Sequence, residues 1–568
     1  MLNKLFLYFK VLNKGEFFKR IEYKIKDLFK YFYIRNFFIN KNKKCILRNM
    51  KIGIPNIKYI GHNFYQIFDK KISYEKIREN LIYSDIFWRK EKISNYDDIK
   101  VIWENNRLQF LLPIAIKYKQ TNNNYYKNII VSTLDYWKEK NKFEYSINWN
   151  NNLEVAIRAI NIVMLLLILQ DKNLNEKYSN LLYLHGLHLY NEINYSKYCI
   201  PNNHLIGEAV ALLMLSKLLS FIGINKWEKK AIKILKKFNR IIDENGISIE
   251  NSFSYQFFVT KMYILALSFI DDEELFRVIN KKVLKSLKFL KLIVINERKI
   301  LNYGDNDDAY LFSVYEDYNL ARDIIIYYNF FFKRECIEET KIIKELLNSS
   351  KKEIVYGIDK NKNYFFNKSI FVYKWENNLL FFNAKNIEGH AHNDSLSLDL
   401  IVDGREVLVD SGTYSYNISK EKRDYYTSRQ AHNTILFETN NAKRVGTFRW
   451  YNLYNSFLKD INVTENIIAI KGIIENVCER KIIINKMKKE IKIYDKSLTK
   501  NFLIKDNWIV NEAYLKDKKL YSKNIIFEFS CPKISTKVVN ISDRYLCEKK
   551  INSYRTEYAE SLNTKINI

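Results

Sequence analysis

The chain has 568 residues, 47% of them hydrophobic, and 93 lysines and arginines against 64 aspartates and glutamates give it a formal net charge of +29. That length and apolarity suffice for two or more domains with large cores, which excludes a disordered or fibrous chain. The basic excess suits an acidic polymer, nucleic acid or an anionic membrane surface, but no helix-turn-helix, zinc-finger or RNA-binding signature accompanies it, so no nucleic-acid partner is expected.

From the N-terminus, the segment from Met1 to Lys10 has too short an apolar core for a secretory signal. No run approaches 18 uncharged apolar residues, so no transmembrane segment is expected. The resulting expectation is a cytoplasmic protein, with periplasmic or membrane-surface association as the alternative. Residues 1–95 read as a helical extension in which the stretch from Lys10 to Lys44 is basic and aromatic. The six cysteines are scattered with no Cys-x-x-Cys and suit reduced thiols.

From about Asp97 to Leu346 the apolar spacing is helical, and the stretch from Leu153 to Leu169 is apolar nearly all round, as in a helix buried between neighbours. Pro201-Asn202-Asn203 precedes an apolar helix predicted from about Leu205 to Ile222. Asn203 and His204 therefore lie near its N-terminus, where unpaired N–H groups and the helix dipole favour anions. Capping alone would also account for an asparagine there. His185 and His188, at i and i+3, read as ordinary helix residues, and Gly304-Asp305-Asn306-Asp307-Asp308 reads as a turn without the spacing of a calcium loop.

Past a boundary near Asn348-Ser349-Ser350-Lys351-Lys352 the pattern changes to short alternating runs such as Ser369 to Tyr373 and Leu379 to Phe382. The predicted division is thus a helical domain over 96–348 and a β domain over 353–568. Within the second, Ser395 to Val402 is a strand with Leu396, Leu398 and Leu400 on one face, Asp403-Gly404 a turn, and Arg405 to Asp410 the return strand. This register puts Asp410 opposite about Ser397 and leaves His392 roughly 17 Å further along the ladder. The residues before Ser395 must curl back if the two are to share a ligand. The segment from Arg480 to Lys500 is basic and apolar by turns and reads as a solvated strand face, with polyanion binding the lesser expectation.

Three of the seven histidines stand between Gly389 and Thr434, in Gly389-His390-Ala391-His392-Asn393-Asp394, Leu408-Val409-Asp410-Ser411-Gly412-Thr413-Tyr414 and Ala431-His432-Asn433-Thr434. Two imidazoles and a carboxylate are a ligand set that suits a four-coordinate divalent cation. Upstream, the chain reads Trp103-Glu104-x-x-Arg107-Leu108-Gln109, then Leu153-Glu154-Val155-Ala156-Ile157-Arg158-Ala159. Asn202-Asn203-His204-Leu205-x-x-Glu208-Ala209 and Glu250-Asn251-Ser252-Phe253-Ser254-Tyr255 follow. In wording and order these pieces, over residues 95 to 440, resemble the heparinase II/III-like family of polysaccharide lyases.

The resemblance implies an incomplete (α/α) toroid followed by an antiparallel β-sandwich, and cleavage of a uronate-containing acidic polysaccharide by β-elimination. It implies one divalent metal held by His392, Asp410 and His432, with Zn²⁺ the first candidate and Ca²⁺ or Mn²⁺ the alternatives. Tyr255 would be the base and acid, Asn203 and His204 would neutralise the substrate carboxylate, and His390 would assist catalysis. Arg429, Tyr425 and Glu208 would contact substrate. A phenol serving as base needs a pKa lowered from its usual value near 10. Many relatives follow that tyrosine with histidine, whereas this chain has Gln256, which removes one route for a proton relay. The expected partner is an acidic polysaccharide or oligosaccharide, in capsule or exopolysaccharide metabolism. The alternative is a non-catalytic polysaccharide-binding or assembly protein that keeps the fold.

Overall fold

The computed structural model describes residues 64–568, except 69, 221–222, 337, 350–355, 358–362, 387–388, 438–441, 452, 501–502 and 532, together with Arg20 and the short strand Ile46–Leu47. Apart from Arg20, the basic stretch from Lys10 to Lys44 lies outside the described residues. Between 64 and 95 the expected helical extension is instead a hairpin, Phe64–Ile67 with Lys70–Ser73, followed by single 3-10 turns. The aromatic alternation of this stretch places Tyr65 and Ile67 in the core, a period-two pattern that a helix could not satisfy.

From Ile99 to Ser349 the described residues form eleven α-helices. Four of them, Leu111–Thr121, Asn152–Leu169, Asn203–Leu218 and Phe253–Leu267, pack each against the next. The intervening helices Asn124–Lys140, Lys172–Cys199, Asn225–Phe238 and Glu273–Leu292 lie outside them. Composition explains the two layers. Every residue of Asn152–Leu169 and of Phe253–Leu267 is buried, whereas Asn124–Lys140 buries only Ile130, Thr133, Leu134 and Trp137, one stripe at helical spacing. Asn152–Leu169 is apolar and long enough to cross a membrane, yet it is wholly buried inside the helical layers.

Because each inner helix is separated from the next by one outer helix, the chain reverses twice and the inner helices run parallel. Their N-termini gather at one mouth, and the last three are capped by Asn151, Asn202 and Ser252, whose side chains accept from Leu153, His204 and Tyr255 N–H. The sequence motifs of the helical half therefore converge although Glu104 and Tyr255 stand 151 positions apart in the chain.

After the helices come antiparallel sheets, five-stranded (Tyr364–Phe366 to Arg405–Leu408), four-stranded (Ile435–Phe437, Ile504–Ile509, Lys549–Thr556, Ile534–Ile541) and eight-stranded (from Ser456–Val463 to Ala513–Lys516). Phe371, Phe382, Leu398 and Leu400 of the five-stranded sheet pack with Ile470, Ile482 and Ile493 of the eight-stranded one. Its other face, with Val372, Leu379, Phe381 and Ile401, joins the core of the helical half. Covered on both sides, its strand Asn378–Asn383 is buried at every position, which is why it reads as an uninterrupted apolar run. On the segment from Arg480 to Lys500 the expected solvated face is interrupted by Arg480 itself, fully buried and paired with Asp495 at 2.8 Å.

Candidate active site

Three loops meet where the mouth of the helical half faces the β domain. His390 N–H donates to Glu250 O at 2.9 Å, and Asp305 N–H donates to His390 O at 2.9 Å. Gly304 sits at the crossing with φ +65°, and a Cβ there would lie 2.1 Å from Asn251 O. Only glycine fits that conformation and that approach.

Asp305 is the hub. Fully buried, it receives both terminal nitrogens of Arg423, faces His390 Nδ1 at 3.1 Å and His392 Nε2 at 3.1 Å, and accepts from Thr413 Oγ1 at 3.3 Å. Burial alone would raise its pKa, but Arg423 and the two histidines outweigh burial and hold the carboxyl well below the usual range. The segment read as a turn thus supplies the carboxylate that joins the two halves. Its neighbour Asp307 pairs with Lys100 at 3.0 Å and accepts from Tyr255 OH at 2.9 Å. Lys100 in turn meets Glu104, and Arg107 bridges Glu104 to Glu154.

Tyr255 lies in the first turn of its helix. Its ring stacks on His390 with centroids 3.6 Å apart, and its hydroxyl is 3.2 Å from Tyr416 OH. Burial and then the negative charge of Asp307 push the phenol well above its ordinary pKa. The lowered pKa expected of a base is therefore not what these surroundings impose: they keep the phenol protonated. Gln256 is turned inward, donating to Gly246 O at 2.8 Å.

Asn203 is fully buried, with its backbone N–H on Glu250 Oε1 at 2.6 Å and its amide on Glu250 Oε2 at 2.5 Å, while its Oδ1 has no partner. Burial raises the Glu250 pKa over the opposing pull of His390 and Asn203. Burial drives the His204 imidazole down to about 4, outweighing Glu154, so the ring is neutral at neutral pH.

The second cluster lies beyond Asp305. A ligand atom from each of His392, Asp410 and His432 falls within 4.8 Å of the others, and all three residues are buried. The required curl is present: Asn393 N–H donates to Thr427 O, Ser397 N–H returns to Asp394 O, and Leu396 takes φ +66°. The strands are accordingly shorter than expected, Leu398–Val402 and Arg405–Leu408, with an irregularity between Leu400 and Ile401. His432 Nδ1 meets Asp410 Oδ2 at 2.8 Å, and Asp410 outweighs burial to raise the imidazole pKa. His392 Nδ1, His432 Nε2 and Asp394 Oδ2 are buried without partners. Orphaned acceptors of this kind fit a cation, and the Asp305 contact leaves the opposite nitrogen of His392 available to it.

The three residues expected to contact substrate have internal partners. Arg429 is buried and donates to Ile435 O, Ser395 O and Thr434 Oγ1, so it braces the metal-side loop. Tyr425 OH donates to Asn540 O. Glu208 is fully buried within its helix, accepting from Ser196 Oγ at 2.5 Å. Arg158 Nε donates to His185, and His188 lies against Glu144 and Asn152. A cavity of about 450 Å³ at the hairpin ends of the sandwich, lined by Tyr373, Trp375 and Arg405 among others, holds none of the site residues.

Comparison with known proteins agrees in both halves. Residues 18–296 match the heparinase II/III N-terminus model and residues 379–499 the heparinase II/III-like C-terminal model. No curated protein matches by sequence. Among solved structures, the heparan sulfate lyase HepC from Pedobacter heparinus is similar at 16% identity, covering 88% of this chain and 79% of its own, with a TM-score of 0.56. A heparinase III structure matches at 14% identity over 98% of this chain and 93% of its own, with a TM-score of 0.60. At such identity the likeness is one of fold, a helical toroid followed by a β-sandwich.

Proposed function

Since the chain belongs to the heparinase II/III-like family of polysaccharide lyases, we propose that it cleaves a uronate-containing acidic polysaccharide by β-elimination at the junction of its two halves. The carrying observation is the stacked pair Tyr255 and His390, each ring hydrogen-bonded to its own carboxylate, Asp307 and Asp305.

In the elimination the C5–H bond and the C4–O4 bond break, a C4=C5 double bond forms, one proton leaves C5 and another reaches O4. His390 engages Asp305 through Nδ1 at 3.1 Å, and its Nε2, 3.6 Å from Glu250 Oε2 and so beyond hydrogen-bonding distance, is the acceptor of the C5 proton. Tyr255, held protonated, donates to the departing O4. This division of labour replaces the single-tyrosine expectation. Asn203, whose amide keeps a second N–H beside the one it gives to Glu250, and the neutral His204 supply hydrogen bonds to the uronate carboxylate as charge develops beside it. His392, Asp410 and His432 would hold the divalent cation; when bound, it supplies positive charge that fixes the loop carrying His390.

The test is incubation of purified protein with a panel of uronate polymers, sulfated and unsulfated, followed by ultraviolet absorbance. Growth of absorbance from an unsaturated uronate is expected with at least one of them. Binding without product across the panel would favour the non-catalytic reading.

A further inference from the structure

The hairpin Lys443–Val445 with Arg449–Tyr451 forms a two-stranded sheet of its own, joined to no other sheet among the described residues. Its turn, Gly446-Thr447-Phe448, is nevertheless fastened to the site. Arg423, the residue that grips Asp305, donates to Thr447 O at 3.4 Å, and Arg444 donates to Gly446 O at 2.7 Å and Thr447 O at 3.2 Å while pairing with Asp424. Phe448 thereby stands with its ring 5.0 Å from His390 and 5.1 Å from Tyr416, edge-on to both, and 5.7 Å from the Arg423 guanidinium. It remains 39% exposed. A large apolar side chain held in place from one side and open on the other, directly beside proton-transfer groups, is a ready surface for the C–H face of a sugar ring. The hairpin also carries Lys443, Arg444 and Arg449 and no acidic residue between Lys443 and Tyr451.

We propose that Phe448 is a substrate-positioning platform: it stacks on one sugar of the acidic polymer next to the scissile linkage, while the basic hairpin around it favours an anionic chain. This assignment rests on the lyase reading for its kinetic test but not for its binding test. In the kinetic test, Phe448→Ala should raise KM for the cleaved polymer about tenfold, with kcat changing by less than about threefold, and Phe448→Trp should restore KM. A fall in kcat with KM unmoved would overturn the platform and leave Phe448 as packing for His390. In the binding test, calorimetry with short uronate oligosaccharides, sulfated and unsulfated, compares Tyr255→Phe with the Tyr255→Phe, Phe448→Ala double variant. A clear loss of affinity on removing the ring supports the platform even if no glycan is ever cleaved, which would defeat only the lyase reading. Equal affinity, or no binding of any of these oligosaccharides by Tyr255→Phe and by the native chain, overturns it. A circular-dichroism melt of each variant shows that the fold is retained.

Discussion

The two sides of Asp305 treat buried charge in opposite ways. On the helical side Lys100, Asp307, Glu104, Arg107 and Glu154 form a closed series of ion pairs, each charge answered by another. On the β side His392 Nδ1, His432 Nε2 and Asp394 Oδ2 face one region with nothing to answer them. A buried polar group without a partner costs about 1–3 kcal/mol, so three together are retained where a ligand completes them. The helical cluster is finished by folding; the β cluster keeps a donor set that a cation would complete.

The contrast can be broken or sharpened by four changes. Tyr255→Phe removes the donor on the finished side and should lower turnover by about 10³-fold, the scale of lost acid–base catalysis, while metal content stays at the wild-type level. Steady-state rates beside elemental analysis check both halves of that statement. Asp305→Ala strikes the link itself. It strands Arg423, buried at 3% side-chain exposure, and should cost about 3–5 kcal/mol of stability in denaturant unfolding. It should also weaken metal retention, because His392 loses the carboxylate that orients it.

Metal removal comes next. Protein purified without added metal should carry about one ion per chain, lost in both His392→Ala and His432→Ala; chelation of the wild type should lower stability by about 2–3 kcal/mol where free metal had stood at a hundred times Kd. Equal melting curves with and without chelator would show the β cluster to be finished by folding too. The smallest change is Glu208→Gln, in the helical scaffold. Burial pushes the Glu208 carboxyl up to about 8, so between its ordinary 4.5 and 8 the native state holds a proton that the unfolded chain has released. Wild-type stability from this group is full below 4.5 and is lost as pH rises toward 8. The glutamine variant escapes that loss, so its Tm advantage should grow by a few degrees from pH 5 to pH 8.

What the sequence makes legible follows the same division. The inner helices are readable because burial on all sides writes itself into composition, as from Leu153 to Leu169, and their convergence follows from alternation alone. The three candidate metal ligands are readable as a motif, but the curl that unites them depends on Leu396 at φ +66°, a conformation leucine does not advertise. Asp305 is not readable as a hub, since its partners His390 and Arg423 stand 85 and 118 residues away and its local acidic run has the composition of a turn. Tyr255 is found by its motif, yet its protonation is held first by its burial in the junction and then by Asp307, 52 residues distant. Arg429, Tyr425 and Glu208 have polar side chains near motif residues, and only the packing shows them turned to internal partners.

The reaction type itself is open to one direct measurement: digestion of the polymer found in the glycan panel in heavy-oxygen water, followed by mass spectrometry of the products. β-Elimination takes no oxygen from water, so the newly formed ends, read before the new anomeric hydroxyl exchanges with solvent, should carry no label, and the unsaturated fragment should be lighter by one water than its hydrolytic counterpart. Heavy oxygen at a newly formed end, with no ultraviolet-absorbing product, would show hydrolysis and contradict the assignment of His390 and Tyr255 as the proton-moving pair of a lyase.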